Sequence, residues 1–173
     1  MATHGLLILA LVGTLAWAAV NDALWFRIPN AVPIAILALY PLYLLAGGQG
    51  LAQLHWALAQ ALGVFLSGAL MFSRGWMGGG DVKLLAALAL WAGPARFPEL
   101  IVTTSIAGGV LALIAFLPGR AAALSWLAMN LRIALHLPEA PRTVSGRRTI
   151  PYGVAIAVGG LHMCGQLSMA GVH

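Results

Sequence analysis

Two short stretches hold the residues best suited to chemistry. In NDALWFRIPN (21–30) Asp22 closes an apolar run; in WMGGGDVKLLAALALW (76–91) Asp81 follows three glycines and opens one. The chain has only four acidic residues. Glu99 reads as a first-turn acid of a later helix and Glu139 as a solvated loop residue, which leaves the two aspartates to explain. Facing carboxylates have a specific chemistry. Like charges oppose ionising both, so the pair tends to share one proton and titrates as a unit. The ionised member takes a proton from water while the protonated member polarises a carbonyl. That is peptide hydrolysis with water as the nucleophile and no metal.

Each aspartate also has a plainer reading. Asp81 after a glycine turn is a candidate N-cap, and Asp22 alone is a residue reaching from a helix end to water. The glycines fit both views. Without Cβ, Gly78, Gly79 and Gly80 permit close backbone approach, so an extended peptide is expected to lie against them. A helix N-terminus at Asp81 favours the anion there and opposes repulsion from Asp22, leaving open which of the two holds the proton. Lys83 reads equally as a catalytic neighbour and as a cationic membrane anchor.

The elements that must position these residues are apolar helices. The 173 residues are 61% hydrophobic and 8% charged, with mean hydropathy +0.94. Soluble domains carry about 25% charged residues, so the composition specifies an all-α membrane protein of one domain. A spanning helix takes about 20 apolar residues. The sequence predicts six helices, over 5–24, 31–46, 52–72, 82–97, 99–117 and 150–170. Breaks fall at FRIPN, at the glycine-rich segments 47–50 and 73–80, and at the two prolines of 94–99. Residues 121–137 place Ser125, Arg132 and His136 on one face and read as a helix lying on the membrane surface, in preference to a seventh span. No Lys or Arg precedes the first apolar run, which argues for a retained helix over a cleaved signal peptide.

Charge and parity bring the aspartates to one face. With the N-terminus outside, eight of the nine Lys and Arg residues fall in inner loops: Arg27, Arg74, Lys83, Arg120, Arg132, Arg142, Arg147 and Arg148, against Arg96 outside. That asymmetry places the inner loops in the cytoplasm. It also accounts for the +5 net charge without nucleic acid. The first predicted helix ends inside and the fourth starts inside, so Asp22 and Asp81 share the cytoplasmic face. Ionisable residues at membrane depth are costly and mark function. The five histidines show no ligand-like spacing, the single cysteine excludes an intrachain disulfide and a multi-cysteine zinc site, and no metal or cofactor is expected. Cys164 reads as a small apolar filler. Most of the six tryptophans lie near predicted helix ends, as an interfacial belt requires, with Trp76 a candidate for shaping the site.

The two motifs together resemble the signature pair of the type IV prepilin peptidases, membrane aspartyl proteases of the GxGD class. The resemblance rests on Asp22 through Ile28, Pro29 and Asn30, on GGGDVKLLAALALW, and on RRTIPYGVAIAVGG (147–160) as a last-helix entry. It implies Asp22 and Asp81 as the catalytic pair, with Gly78, Gly80 and Lys83 at the motif's further positions. It further implies a prepilin or pilin-like substrate, cut between a short basic leader and an apolar helix at the cytoplasmic face of the inner membrane. Larger members carry an additional domain with paired cysteines, linked to N-methylation. This chain has neither, and is similar instead to the short forms of tight-adherence (Flp) pilus systems. A rival reading, from a different class, is a small transporter or ion conductor using the aspartates as a proton or cation site; a non-catalytic pilus assembly factor is a third.

Overall fold

In the computed structural model, residues 2–46, 54–116, 126, 129, 130, 133 and 150–170 are described. They are helical apart from short connections, with no strand among them. The helices are α1 (Ala2–Trp25), α2 (Ala31–Leu45), α3 (Leu54–Ser73), α4 (Gly79–Phe116) and α5 (Tyr152–Ala170). Among the described residues three apolar lengths suffice to cross a membrane: Thr3–Trp25, Leu54–Ser73 and Gly79–Ile114. The 15 residues of α2 reach only about 22 Å at 1.5 Å per residue.

Six separate helices were expected, and the fourth and fifth differ most from that expectation. They form one continuous element, α4, interrupted only at Gly93 with φ 58° and ψ 177°. Contacts on either side of Gly93 run in opposite directions along α5. On the first limb, Leu88 packs at Gly160 of α5; on the second, Leu100 and Thr104 pack at Gly159 and Gly108 meets the ring of Tyr152. The chain therefore reverses at Gly93. The break was expected at the prolines of 94–99, yet Pro94 and Pro98 are helical. Pro94 is the first residue after the break, where a missing N–H has no intrahelical acceptor to serve, whereas Pro98 lies past that first turn and leaves the Pro94 carbonyl without its usual donor. A left-handed φ favours glycine, so the break falls on the residue before Pro94.

The start of α4 is the other correction. It begins at Gly79, with Asp81 in its first turn, not at residue 82. Gly79 and Gly80 are helical and offer no extended platform. Glycine is a weak helix former, but here both glycines are packed: a Cβ on Gly79 would meet the Phe72 ring at 3.3 Å, and one on Gly80 would meet Ile28 Cβ at 3.1 Å.

The core lies where α5 is wrapped by α1 and both limbs of α4. Leu11 and Leu15 of α1, Leu84 and Leu88 of α4, and Ile156 and Leu167 of α5 are fully buried. Trp91 is also fully buried, and so is not one of an interfacial belt of tryptophans. Its Nε1–H donates to the Ile36 carbonyl at 2.9 Å, and its ring packs against Tyr40 and Tyr43. The Gln60 amide donates to the Ala89 carbonyl at 2.9 Å, tying α3 to α4 one turn before the break, where helix carbonyls lose their own donors. Cys164 is buried, as a filler should be.

The surface helix read over 121–137 lies mostly outside the described residues, as do Ser125, Arg132 and His136. Trp126, Met129, Asn130 and Ile133 are described and helical. Trp126, Met129 and Ile133 are exposed.

Candidate active site

Asp22 sits on the last turn of α1, where Phe26 N–H donates to the Asp22 carbonyl at 2.9 Å. Phe26 then takes φ 51°, a left-handed conformation that costs a non-glycine residue about 1–2 kcal/mol. That turn ends α1 and directs residues 27–30 back across the end of the bundle.

The Asp22 side chain is 5% exposed. Its Oδ2 accepts the Val154 N–H at 3.2 Å, and the Gly153 N–H also faces it. These are first-turn amides of α5, which have no acceptor within their own helix. A carboxylate at a helix N-terminus satisfies them and is stabilised by the helix dipole. Gly153 is required by proximity: a Cβ there would lie 2.8 Å from Asp22 Oδ2 and 2.7 Å from Ile28 Cδ1.

Asp81 occupies the equivalent place on α4. It is half-buried, in the first turn, and the Gly78 N–H faces its carboxylate. It is therefore not the N-cap. Its side chain reaches back three residues, as the acid of a capping box does. A Cβ on Gly78 would lie 2.7 Å from Asp81 Oδ2. The two aspartates, far apart in sequence, are close enough to act on each other electrostatically. Among the described residues neither has a cation at ion-pair distance, and the one such pair is His162 with Glu99.

The connection between α1 and α2 fixes this arrangement. Ile28 wedges between the two helix starts, touching Gly80 of α4 and Gly153 of α5. The Pro29 carbonyl accepts the Val32 N–H at 3.0 Å, turning the chain into α2. Asn30 makes no capping bond with its side chain; its Oδ1 instead accepts from Lys83 Nζ at 2.9 Å. Lys83 is thus tied to the α1–α2 connection and directed away from the aspartates.

The structure brings together Asp22, Asp81, Gly78, Gly80 and Ile28, and links Asn30 with Lys83 beside them. Gly79 packs on Phe72 instead. Trp76 is 69% exposed with the Arg74 guanidinium 5.5 Å over its ring, so it stands outside the site. Gly153 and Val154 were not singled out from sequence. Their signal was Pro151 ahead of an apolar run, which marks a helix start with free amides. No group of three or more His, Cys, Asp or Glu side chains among the described residues could hold a metal ion.

Long apolar helices around a glycine-framed pair of carboxylates define a helical membrane protein with an acidic site at one end of its bundle. Residues 9–113, more than half of the chain and both aspartates included, match the type IV leader peptidase family. The chain belongs to that family and is a peptidase of the leader-peptidase kind. Neither a curated protein nor a solved structure matches it.

Proposed function

We propose that this chain, as a single membrane-embedded domain, is an aspartyl endopeptidase that removes the basic leader of prepilins or pilin-like proteins at the cytoplasmic face of the inner membrane. One observation supports the reading: two carboxylates from distant parts of the chain lie at two helix N-termini, near enough to act on each other electrostatically, with no cation at ion-pair distance among the described residues. A purely structural carboxylate in a membrane helix is paired. A pair left without a counter-ion holds one proton between its members.

The chemistry follows from that proton. The ionised aspartate removes a proton from water as its oxygen attacks the scissile carbonyl. The protonated one hydrogen-bonds to the carbonyl oxygen and holds the developing negative charge. Proton transfer to the departing amine then completes the cleavage, and no cofactor enters. The glycines keep the walls low: backbone at Gly78 and Gly153 lies where any side chain would strike a carboxylate.

Orientation has a separate support. Arg27 and Arg74 lie in the connections at the aspartate end and Lys83 in the second turn of α4 beside them, and the positive-inside tendency assigns that end to the cytoplasm. The reversal at Gly93 favours counting the two limbs of α4 as separate membrane passes, and because α1 ends at the aspartate end, its own start lies outside. Residues 26–30 alone join α1 to α2, so the cysteine-bearing domain of larger relatives has no place there, and N-methylation is not part of this reading.

The test is leader removal from a co-expressed prepilin by chains carrying Asp22→Asn or Asp81→Asn. Both variants should leave the precursor uncut. Full processing by either one removes the dyad from the mechanism.

A further inference from the structure

The aspartates stand on helices that have little direct hold on each other. Among the described residues α1 packs on α2 and α5, and α4 packs on α2, α3 and α5, while α1 and α4 share no extensive contact. The carboxylates are therefore aligned through intermediaries. One is the start of α5, whose amides hold Asp22. The other is the connection over residues 26–30.

That connection is pinned along its length. Phe26 opens it in a left-handed conformation, which a non-glycine residue keeps only where its surroundings over-determine it. Ile28 lies against Gly80, one residue before Asp81, and against Gly153, where a Cβ would strike Asp22. Asn30 ends the connection at the N-cap of α2, where an asparagine side chain ordinarily accepts from the new helix's own amides. It makes no such bond. Its Oδ1 accepts instead from Lys83 Nζ at 2.9 Å. A local cap is forgone for a tie to the second turn of α4, 53 residues away. Lys83 follows Asp81 by two residues on the same helix, so the bond closes a ring that runs from Asp22 through the connection to Asp81.

We propose that Asn30 and Lys83 are positioning residues, whose hydrogen bond clasps the α1–α2 connection, and Ile28 with it, against the start of α4 and so sets the spacing of Asp22 from Asp81. This role rests on the peptidase reading above. The ammonium acts as a donor, with its charge turned away from the carboxylates. Both side chains are exposed, and water competes for them, so the tie contributes little to global stability. Rate depends far more steeply on the alignment of reacting groups. The clasp is therefore read in kcat and not in the melting temperature.

A double-mutant cycle on the full chain tests this, in phosphatidylethanolamine–phosphatidylglycerol nanodiscs, with a synthetic precursor that joins a Lys-rich leader to an apolar Leu/Ala helix. Asn30→Ala and Lys83→Met should each lower kcat about tenfold, with KM within about twofold of the parent. The double variant should be no more than about threefold worse than either single, where independent losses would multiply to about a hundredfold. Lys83→Arg, which still donates to Asn30, should recover most of kcat. Arg74→Gln removes a cation at the same end that takes no part in the clasp, and should leave kcat unchanged. Parent-like kcat in Asn30→Ala overturns the proposal, as do multiplied losses in the double variant or an equal fall in Arg74→Gln. A raised KM at constant kcat would make Lys83 a substrate contact, and overturns it too. So does recovery of Asn30→Ala by Lys83→Met, which would make Asn30 only a guard that keeps the ammonium off Asp81. Failure of the peptidase reading looks different: Asp81→Asn would cut the precursor as the parent does, whatever the clasp variants do.

Discussion

The bundle has carboxylates at both ends, and the two ends treat them differently. At the far end, Glu99 is 47% exposed on its side chain and accepts from His162 at 2.8 Å and Gln166 at 2.5 Å. Those partners come from one face of α5, and together they fasten the second limb of α4 to it. At the near end, among the described residues, Asp22 is buried and receives only backbone amides, while Asp81 has Asp22 within electrostatic reach and a single amide. Helix amides hold a carboxylate in place without donating a formal charge or surrendering a mobile proton. The far end is built to satisfy its acid. The near end fixes its acids in position and leaves them reactive.

Removing the near-end groups should have the largest effect. Asp22→Asn and Asp81→Asn keep shape and lose the acid–base pair, so leader cleavage should fall by a factor of about 10²–10⁴ or more. Single-turnover assays on purified variants, with helicity checked by circular dichroism, measure this. Next comes Gly153→Ala, whose methyl would overlap Asp22 Oδ2 and Ile28. The expected loss is about 10–100-fold in kcat, because a carboxylate displaced by a fraction of an ångström loses its alignment. Gly165→Ala on the same helix meets nothing within 4 Å and is the matched control, with kcat unchanged. A control that fell as far as Gly153→Ala would mean that α5 tolerates no alanine, and the positional claim would collapse.

Much of the near end was legible in sequence because its parts are local. Asp22, Ile28, Pro29 and Asn30 lie within one helix end and one turn, and the GGGD run announces a helix start. What sequence hid was tertiary. The α5 amides that hold Asp22 reach it only once the bundle closes, and nothing in IPYGVAIA says which acid they meet. The start of α4 was misplaced because glycine's helix cost is a local rule, overridden here by Phe72 and Ile28 packing on Gly79 and Gly80. The tryptophans were read mostly as an interfacial belt, yet the Trp91 indole found a carbonyl and two tyrosine rings in the core. The Gly93 reversal shows why proline alone misplaced a boundary: the proline restricts the residue before it, and the glycine is the residue that turns.

That aromatic cluster gives a stability effect with little effect on rate. Trp91→Phe removes the donor to the Ile36 carbonyl and part of the ring packing. It should cost about 1–3 kcal/mol, read as a lower melting temperature in detergent, with kcat within about twofold of the parent. A large fall in kcat at retained stability would mean that the aromatic cluster governs the near end as well, and the division between the two ends would not stand.

The smallest expected effect is the most discriminating. Glu99→Gln keeps a hydrogen-bonding carbonyl for His162 and Gln166 while removing the far end's only acid among the described residues. If the ends are independent, cleavage and its pH profile should match the parent, and the melting temperature should shift only slightly, since exposed ion pairs contribute little. The profile is the sharper readout. Acid–base chemistry confined to Asp22 and Asp81 leaves a pH–rate curve that no substitution at Glu99 can move. A displaced curve would mean that the second limb of α4 transmits charge along α5 to Asp22, through the same helix whose first amides hold that carboxylate.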